Sequence, residues 1–210
     1  MKRITLLLAI LLASHMAFTQ EEVAIEQNIN TSISYLNINA GWNVRLMHRE
    51  TEGYRIAIVV PKQYEEIAIV DVHVCNINCD TMTINENTLL PRGTVIELEG
   101  PMTFGQINLL NNATAEADYV VSSAASVSEK ETNLQLRKNA SLLVKHYHIP
   151  SKENSPVMDV WDQARLTIDT ISGEGDAGVN VYAGADFQYG INALHGKITL
   201  SEYDKTGNWP

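Results

Sequence analysis

Apolar and polar residues alternate in short runs along most of this chain, and Asn, Gly, Ser and Asp interrupt the runs. Residues 55–60 (RIAIVV), 94–98 (TVIEL) and 134–137 (LQLR) are examples. Alternation with a period of two places successive side chains on opposite faces of a strand. The pattern therefore predicts strands and turns. Only residues 63–69, after Pro61, suggest a short helical turn.

Five eleven-residue segments within this pattern align without gaps. They begin at Ile107, Tyr119, Leu134, Met158 and Val179. Each has alanine at its seventh place, namely Ala113, Ala125, Ala140, Ala164 and Ala185. The first, third, ninth and eleventh places are apolar except at Glu129, and the second place is polar at Asn108, Gln135, Asp159 and Asn180. Two strands joined at a corner with room for only a small side chain produce this pattern.

A repeat unit that cannot bury its own apolar face must stack on its neighbours. The coils of a parallel β-solenoid do this, with strands about 4.8 Å apart. The alternative is a β-sandwich, in which alternation also holds but no recurrent small corner is required. No linker-like or low-complexity stretch divides the chain. We therefore expect residues 20–210 to form a single all-β domain.

The first nineteen residues have a different character. Lys2 and Arg3 precede an apolar run over residues 4–13. Ten residues are too few to cross a bilayer, which takes about 20. The pattern is typical of a secretory signal peptide over residues 1–19, and it predicts export to the periplasm, the cell surface or the medium. No lipid-anchor cysteine follows the run, since the first cysteine is Cys75, and no second apolar run predicts a membrane span.

Charge narrows the choice of partner. The chain has 15 Lys and Arg against 25 Asp and Glu, a net charge of −10, and loss of Lys2 and Arg3 with the signal peptide leaves −12. Nucleic acid or an anionic membrane would require a basic face, so neither is expected as the main partner. An apolar fraction of 45% predicts a folded core rather than disorder.

No motif of nucleophilic, zinc-hydrolase or phosphate-binding chemistry occurs in the chain, so the sequence predicts no enzyme and no cofactor. His146 and His148 share one strand face and are candidate metal ligands. No third ligand lies nearby in sequence, and the alternative is solvated or locally bonded histidines. Cys75 and Cys79 would need a turn over residues 76–78 to form a disulfide, because residues four apart on a strand are about 13 Å apart. We expect two free thiols.

Trp161 and Tyr182 occupy the fourth place of two consecutive segments, on the outward side. Stacked coils would bring these two rings side by side. An exposed aromatic pair can serve as a platform for a sugar or as an anchor for a partner protein. The alternative is an aromatic ladder that a loop or a terminus covers.

Several stretches resemble the head GIN domain, a family of exported bacterial envelope proteins described as candidate auto-transporter adhesins. Residues 171–177 (ISGEGDA) are similar to its Ser-Gly-Ser-Gly-Asp corner. Divergent versions of its Ser-Gly-Ala-Ser corner are found at residues 112–114, 124–126 and 139–141. Its opening strand, corner and strand resemble residues 36–46, and its mid-domain strand ending in Pro resembles residues 95–101. The resemblance covers about residues 33–200, although most corner glycines are replaced.

The resemblance implies a right-handed parallel β-helix with an export signal, and no established chemistry or catalytic residues. The predicted function is therefore a non-enzymatic cell-envelope protein with an adhesin-like binding or structural role. Its partner would be a neutral glycan or an envelope protein. The alternative is a carbohydrate-active enzyme on the same scaffold, resembling a polysaccharide lyase. Such an enzyme would use clustered basic residues, for which the candidates are Lys130, Arg137, Lys138 and Lys145.

Overall fold

A computed structural model describes residues 21–68, 75–123 and 132–203. The signal-peptide prediction for residues 1–19 and the corner at Ala125 lie outside these residues. The described residues form strands and a single 3₁₀ turn, η1 (Lys62–Tyr64), which follows Pro61 where the sequence suggested a helical turn.

The described residues contain eighteen strands. In chain order they are β1 (Glu22–Ile29), β2 (Tyr35–Ile38), β3 (Asn43–His48), β4 (Tyr54–Pro61), β5 (Cys75–Asn78), β6 (Thr81–Ile84), β7 (Val95–Gly100), β8 (Thr103–Phe104), β9 (Gln106–Leu109), β10 (Thr114–Ala117), β11 (Val120–Ser122), β12 (Thr132–Leu136), β13 (Ser141–Ile149), β14 (Val157–Val160), β15 (Arg165–Gly173), β16 (Ala177–Tyr182), β17 (Asp186–Leu194) and β18 (Ile198–Tyr203). The prediction of an all-β protein is confirmed.

The strands form two mixed sheets. The ten-stranded sheet has the order β1-β4-β7-β3-β10-β13-β11-β8, with β15 added to β13 and β17 added to β15. The eight-stranded sheet has the order β18-β16-β14-β12-β9-β2-β6-β5, and from β12 onward successive strands alternate between the sheets. Pairing in the described residues is parallel except for β1–β4, β4–β7 and β5–β6. Two sheets over one core are also compatible with a sandwich.

Inward columns of apolar side chains run across the eight-stranded sheet. In-register pairing aligns the first places of the predicted segments, and Leu36, Ile107, Leu134, Met158 and Val179 form one fully buried column. The third places form the next buried column, Ile38, Leu109, Leu136 and Val160. Burial at these places supplies the main favourable free energy, about 25 cal/mol per Å² of apolar surface. It also explains why the places are apolar.

The corners between the sheets are two-residue turns in the left-handed backbone region. Their central pairs, Asn111–Asn112, Lys138–Asn139 and Asp162–Gln163, have φ between 50 and 63°. In each corner the amide of the following alanine donates to the carbonyl three residues earlier, at 2.8–3.3 Å. This corresponds to a type I′ turn, in which Asn and Asp tolerate positive φ better than most residues.

The seventh-place alanines lie directly after these turns and point inward. Ala113, Ala140 and Ala164 are fully buried, which confirms the prediction of a small interior corner. Residues 36–46 form a further unit of the same kind, with Trp42 in the alanine position. The Trp42 indole is buried, and its Nε1 donates to the carbonyl of Asn85 at 2.6 Å. At this corner a large side chain with its own hydrogen-bond partner therefore takes the place of alanine.

The prediction that a repeat segment begins at Tyr119 is wrong. Residues 120–122 form β11, in which Val120 lies beside Tyr147 in the second half of β13. This stretch therefore continues the unit that begins at Ile107, rather than starting a new one. The error has a simple cause, because each sheet-crossing unit contains a second run of alternating residues that resembles the first.

The segment beginning at Val179 is in register, and its second strand, β17, is the last strand on its side of the ten-stranded sheet among the described residues. Phe187 is only half-buried and Tyr189 is 46% exposed, because among the described residues β17 pairs only with β15. Likewise β18 pairs only with β16, and Glu202 continues the inward column that holds Val160 and Val181. The side chain of Glu202 is exposed at this position.

We expect Ala140→Leu to destabilise the protein by about 1–3 kcal/mol, because the added methylenes have no space at a buried corner. Urea unfolding monitored by circular dichroism would measure this loss. The matched control is Ala193→Leu, the same change at an exposed position of β17, which should shift stability by less than about 0.5 kcal/mol. Equal stability of the two variants would contradict the assignment of Ala140 to a closed corner.

Candidate binding face

A column of polar side chains crosses the outer face of the eight-stranded sheet. In-register pairing places one member on each strand, in the order Asn76, Thr83, Asn37, Asn108, Gln135, Asp159, Asn180 and Ser201. We call these eight residues the polar column. With strands about 4.8 Å apart, it is roughly 34 Å long. Asp159 is the one charged member, and it is only 7% exposed.

Hydrogen bonds between neighbours hold the polar column in place. Asn108 Nδ2 donates to Asn37 Oδ1 at 2.7 Å, and Asn37 Nδ2 donates to Thr83 Oγ1 at 3.3 Å. Asn180 Nδ2 donates to Asp159 Oδ1 at 2.8 Å. A carboxamide has two donor hydrogens and an acceptor oxygen with two lone pairs, so these bonds fix its orientation without exhausting its capacity.

A second column runs beside the first, two residues further along the strands. It contains Arg137, Trp161, Tyr182 and Tyr203, which we call the aromatic column. The Trp161 and Tyr182 rings stack with centroids 3.3 Å apart at 10°, and Tyr182 and Tyr203 with centroids 4.8 Å apart at 13°. The guanidinium of Arg137 lies 5.8 Å from the Trp161 ring centroid. Parallel in-register strands place equivalent positions side by side, and the rings stack for this reason.

The structure thus brings Trp161 and Tyr182 together, but it does not expose Trp161. This side chain is 8% exposed, because Arg137 covers one face and Tyr182 the other. Tyr203, which is 45% exposed, is the last ring of the column, and among the described residues it stacks only on Tyr182.

Tyr203 was missed from the sequence, although a signal for it exists. It occupies the fourth place counted from Leu200, and Leu200 pairs with Val179 at the first place of the last segment. The pKa of the neighbouring Tyr182 is raised, mainly by burial and further by Asp159 and Tyr203. Its hydroxyl therefore remains protonated and can donate a hydrogen bond at neutral pH.

The outer face of the ten-stranded sheet has a different chemistry. It carries ion pairs between neighbouring strands, namely Arg45–Glu97 (3.2 Å), Lys145–Glu116 (2.7 Å), Arg55–Glu26 (2.8 Å), Arg55–Glu99 (2.8 Å) and Arg165–Asp186 (3.3 Å). The hydrogen bond from Lys145 lowers the pKa of Glu116. Exposed pairs of this kind contribute at most about 1 kcal/mol each. The charges of this face therefore satisfy one another.

His146 and His148 lie on the ten-stranded sheet, away from the two columns. His146 Nε2 is 2.6 Å from Ser172 Oγ, and His148 Nδ1 is 3.2 Å from the same oxygen. The Tyr119 ring lies 5.0 Å from His146. Both imidazoles are thus bonded locally, which is the alternative left open by the sequence. The described residues contain no group of three or more His, Cys, Asp or Glu arranged to hold a metal ion.

The basic residues considered for a lyase do not converge. Lys145 pairs with Glu116 on the ten-stranded sheet, whereas Arg137 lies over Trp161 on the eight-stranded sheet. Lys138 belongs to a corner, and Lys130 lies outside the described residues. In the part of the chain that the structure describes, no helix is long and apolar enough to span a membrane.

Comparison with known proteins gives limited similarity. No family model and no curated protein matches the chain. Among solved structures, it is similar to a putative adhesin from Parabacteroides distasonis (TM-score 0.41, 11% identity) and one from Parabacteroides merdae (TM-score 0.38, 12% identity). It is also similar to a putative lipid binding protein from Parabacteroides distasonis (TM-score 0.31, 9% identity). Each match covers 89% of this chain and 98% of the other. At these levels, function must be argued from this chain's own residues.

The two cysteines differ in accessibility. Cys75 begins β5 and is buried, while Cys79 is exposed in the turn after it, and both thiols are free. Residues 76–78 continue the strand rather than turning. Burial raises the pKa of Cys75 to about 12, so its reactive thiolate is scarce at neutral pH.

We expect iodoacetamide at pH 8 to label Cys79 in the folded protein and to leave Cys75 unmodified. Mass spectrometry should show one added label under native conditions and two in 6–8 M urea, roughly the concentration that unfolds small domains. Rapid native labelling of Cys75 would contradict the burial of β5.

The pKa of His146 is lowered, first by burial and then by His148, so the folded state favours the neutral imidazole. An unfolded histidine titrates near pH 6.5. We therefore expect stability to fall as the pH decreases below about 6.5 and to level off below the folded-state pKa. His146→Gln keeps a hydrogen-bonding group near Ser172 but cannot take up the proton. It should lose less stability between pH 7.5 and 5 than the wild type in urea unfolding, and an equal loss in both proteins would refute this.

Proposed function

We propose that this protein is an exported, non-enzymatic cell-envelope protein whose adhesin-like role is carried by the outer face of the eight-stranded sheet. The contrast between the two outer faces carries this proposal. One face is covered with ion pairs that satisfy one another. The other presents aligned hydrogen-bonding groups, uncharged except for the nearly buried Asp159, beside an aromatic column, a combination typical of binding sites.

A β-solenoid of the head GIN type is the fold we propose for residues 20–210. Its support is the parallel in-register pairing, the alternation of successive strands between two sheets, and the recurrent type I′ corners with buried alanine. The right hand follows from the general rule for crossovers between parallel strands. The resemblance of residues 33–200 to that family agrees with this arrangement.

Export rests on the signal-peptide pattern of residues 1–19, and it places the protein in the periplasm, at the surface or in the medium. The partner is expected to be uncharged or basic, because the chain carries a net charge of −10. A neutral glycan and an envelope protein both meet this condition. The enzymatic alternative gains no support from the geometry, since the polar column spreads its groups along a line rather than gathering them around one bond.

Tyr203→Ala should weaken binding of the purified protein to an isolated bacterial envelope fraction at least tenfold. The exposed ring face of Tyr203 is lost, while an exposed side chain contributes little to stability. The matched control is Tyr189→Ala, which removes a ring of nearly equal exposure (46%) from the other sheet and should leave binding unchanged.

Trp161→Ala should behave differently, because its ring is enclosed between Arg137 and Tyr182. It should lower the free energy of unfolding by about 3 kcal/mol. Full binding by a folded Tyr203→Ala variant would refute the assignment of this face. Release of glycan fragments from the envelope fraction would favour the enzymatic alternative.

A further inference from the structure

We propose that the ligand of the outer face is an extended, neutral glycan chain that lies along the polar column, across the strands rather than parallel to them. This inference rests on the proposed binding role of the same face and adds the class of ligand and its direction. It follows from the regular spacing of the polar column, from a gap beside it at Gly178, and from the distribution of charge.

The direction of the ligand follows from the spacing of the polar column. The polar column offers a new hydrogen-bonding group on every strand, at intervals of about 4.8 Å. A ligand that runs along a single strand meets only one member of each column. A polymer that runs across the strands meets one member per strand, and the advance of one pyranose ring in an extended chain is close to this interval.

The class follows from the donor and acceptor chemistry. Carboxamides donate and accept at once, and so do the hydroxyl groups of a sugar, whereas a protein partner would require a cluster of apolar anchors. Hydrogen bonds among Thr83, Asn37 and Asn108 already orient the amides, so little side-chain entropy is lost when a ligand binds. The open face of Tyr203 provides an aromatic surface at one end for a sugar ring.

A glycine beside the column leaves a gap of one side chain in the face, between Val157 and Thr199. Gly178 pairs with Val157 and Thr199 and lies two residues before Asn180, so it is on the same face. Its backbone is outside the left-handed region, and an added Cβ would make only ordinary contacts, 3.6 Å to Val157 and 3.9 Å to Pro156. Neither conformation nor packing requires glycine here. By contrast, a Cβ at Gly173 would lie 1.9 Å from the carbonyl oxygen of Ile149.

The neutrality of the ligand follows from charge. Asp159, the single charged member of the polar column, is almost fully buried and accepts a hydrogen bond from Asn180. The polar column therefore has no cation to pair with a uronate. Arg137, the one cation of the adjoining aromatic column, lies over the Trp161 ring, and the net charge of −10 repels an anionic ligand.

The test uses an array of neutral linear oligosaccharides of one to eight sugar residues, with uronate oligosaccharides of matched length. We expect affinity for a neutral series to rise at least tenfold between two and six residues, and no binding of the uronates. Gln135→Glu places a charge at mid-column and should weaken binding at least tenfold. The matched control is Gln188→Glu, the same change on β17 of the other sheet, which should leave binding unchanged.

Gly178→Val separates the site from the fold, because valine suits a strand and its Cβ would make only ordinary contacts at this position. We expect an unchanged or higher melting temperature together with at least tenfold weaker glycan binding. Full glycan binding by folded Gly178→Val, or equal affinity for one and six sugar residues, would overturn the proposed path. Envelope binding that depends on Tyr203 but not on any glycan would refute the assignment of a glycan ligand and leave the proposed function intact. A wild-type protein that binds neither the oligosaccharides nor the envelope fraction would refute both the glycan ligand and the proposed function.

Discussion

Parallel, in-register pairing is the constraint on which the rest of this structure depends. Each side chain lies beside the equivalent side chain of the next strand, at about 4.8 Å, so the residue at one position sets the surroundings of its neighbours. Like residues then form columns: apolar inside, amides and aromatic rings outside. Charges of one sign cannot follow this rule, and on the ten-stranded sheet opposite signs alternate instead in the row Glu97, Arg45 and Glu116. Lys145 pairs with Glu116 from two residues beyond Leu143, the register partner of Glu116.

The sequence was informative wherever the structure depends on local pattern. Alternation predicted the strands, alanine at the seventh place predicted the closed corners, and the shared fourth place predicted that Trp161 and Tyr182 would be neighbours. The sequence was misleading where the structure depends on which strands pair with each other. The run beginning at Tyr119 alternates like the others, but its backbone partner is the second half of β13, and spacing along the chain does not reveal this.

The candidate face shows the same division. The polar character of the second place was visible at Asn108, Gln135, Asp159 and Asn180, but its extension to Thr83 and Asn76 depends on β6 and β5 joining the sheet. The exposure of Trp161 was misjudged because a stacked ring is covered by residues distant in sequence, Arg137 and Tyr182. Burial of this kind depends on which residues become neighbours in space, and a single sequence does not reveal those neighbours.

Glu202 has a consequence beyond its own strand. Any protein built from self-similar layers presents a template on which another molecule could continue the pattern, which is the route to fibres. A strand from another molecule added in register to β18 would have to enclose a carboxylate beside the column of Val181 and Val160, and removing an unpaired charge from water costs several kcal/mol. A single acidic side chain in an inward position thus lets the layers stack within one molecule while opposing their growth into a filament.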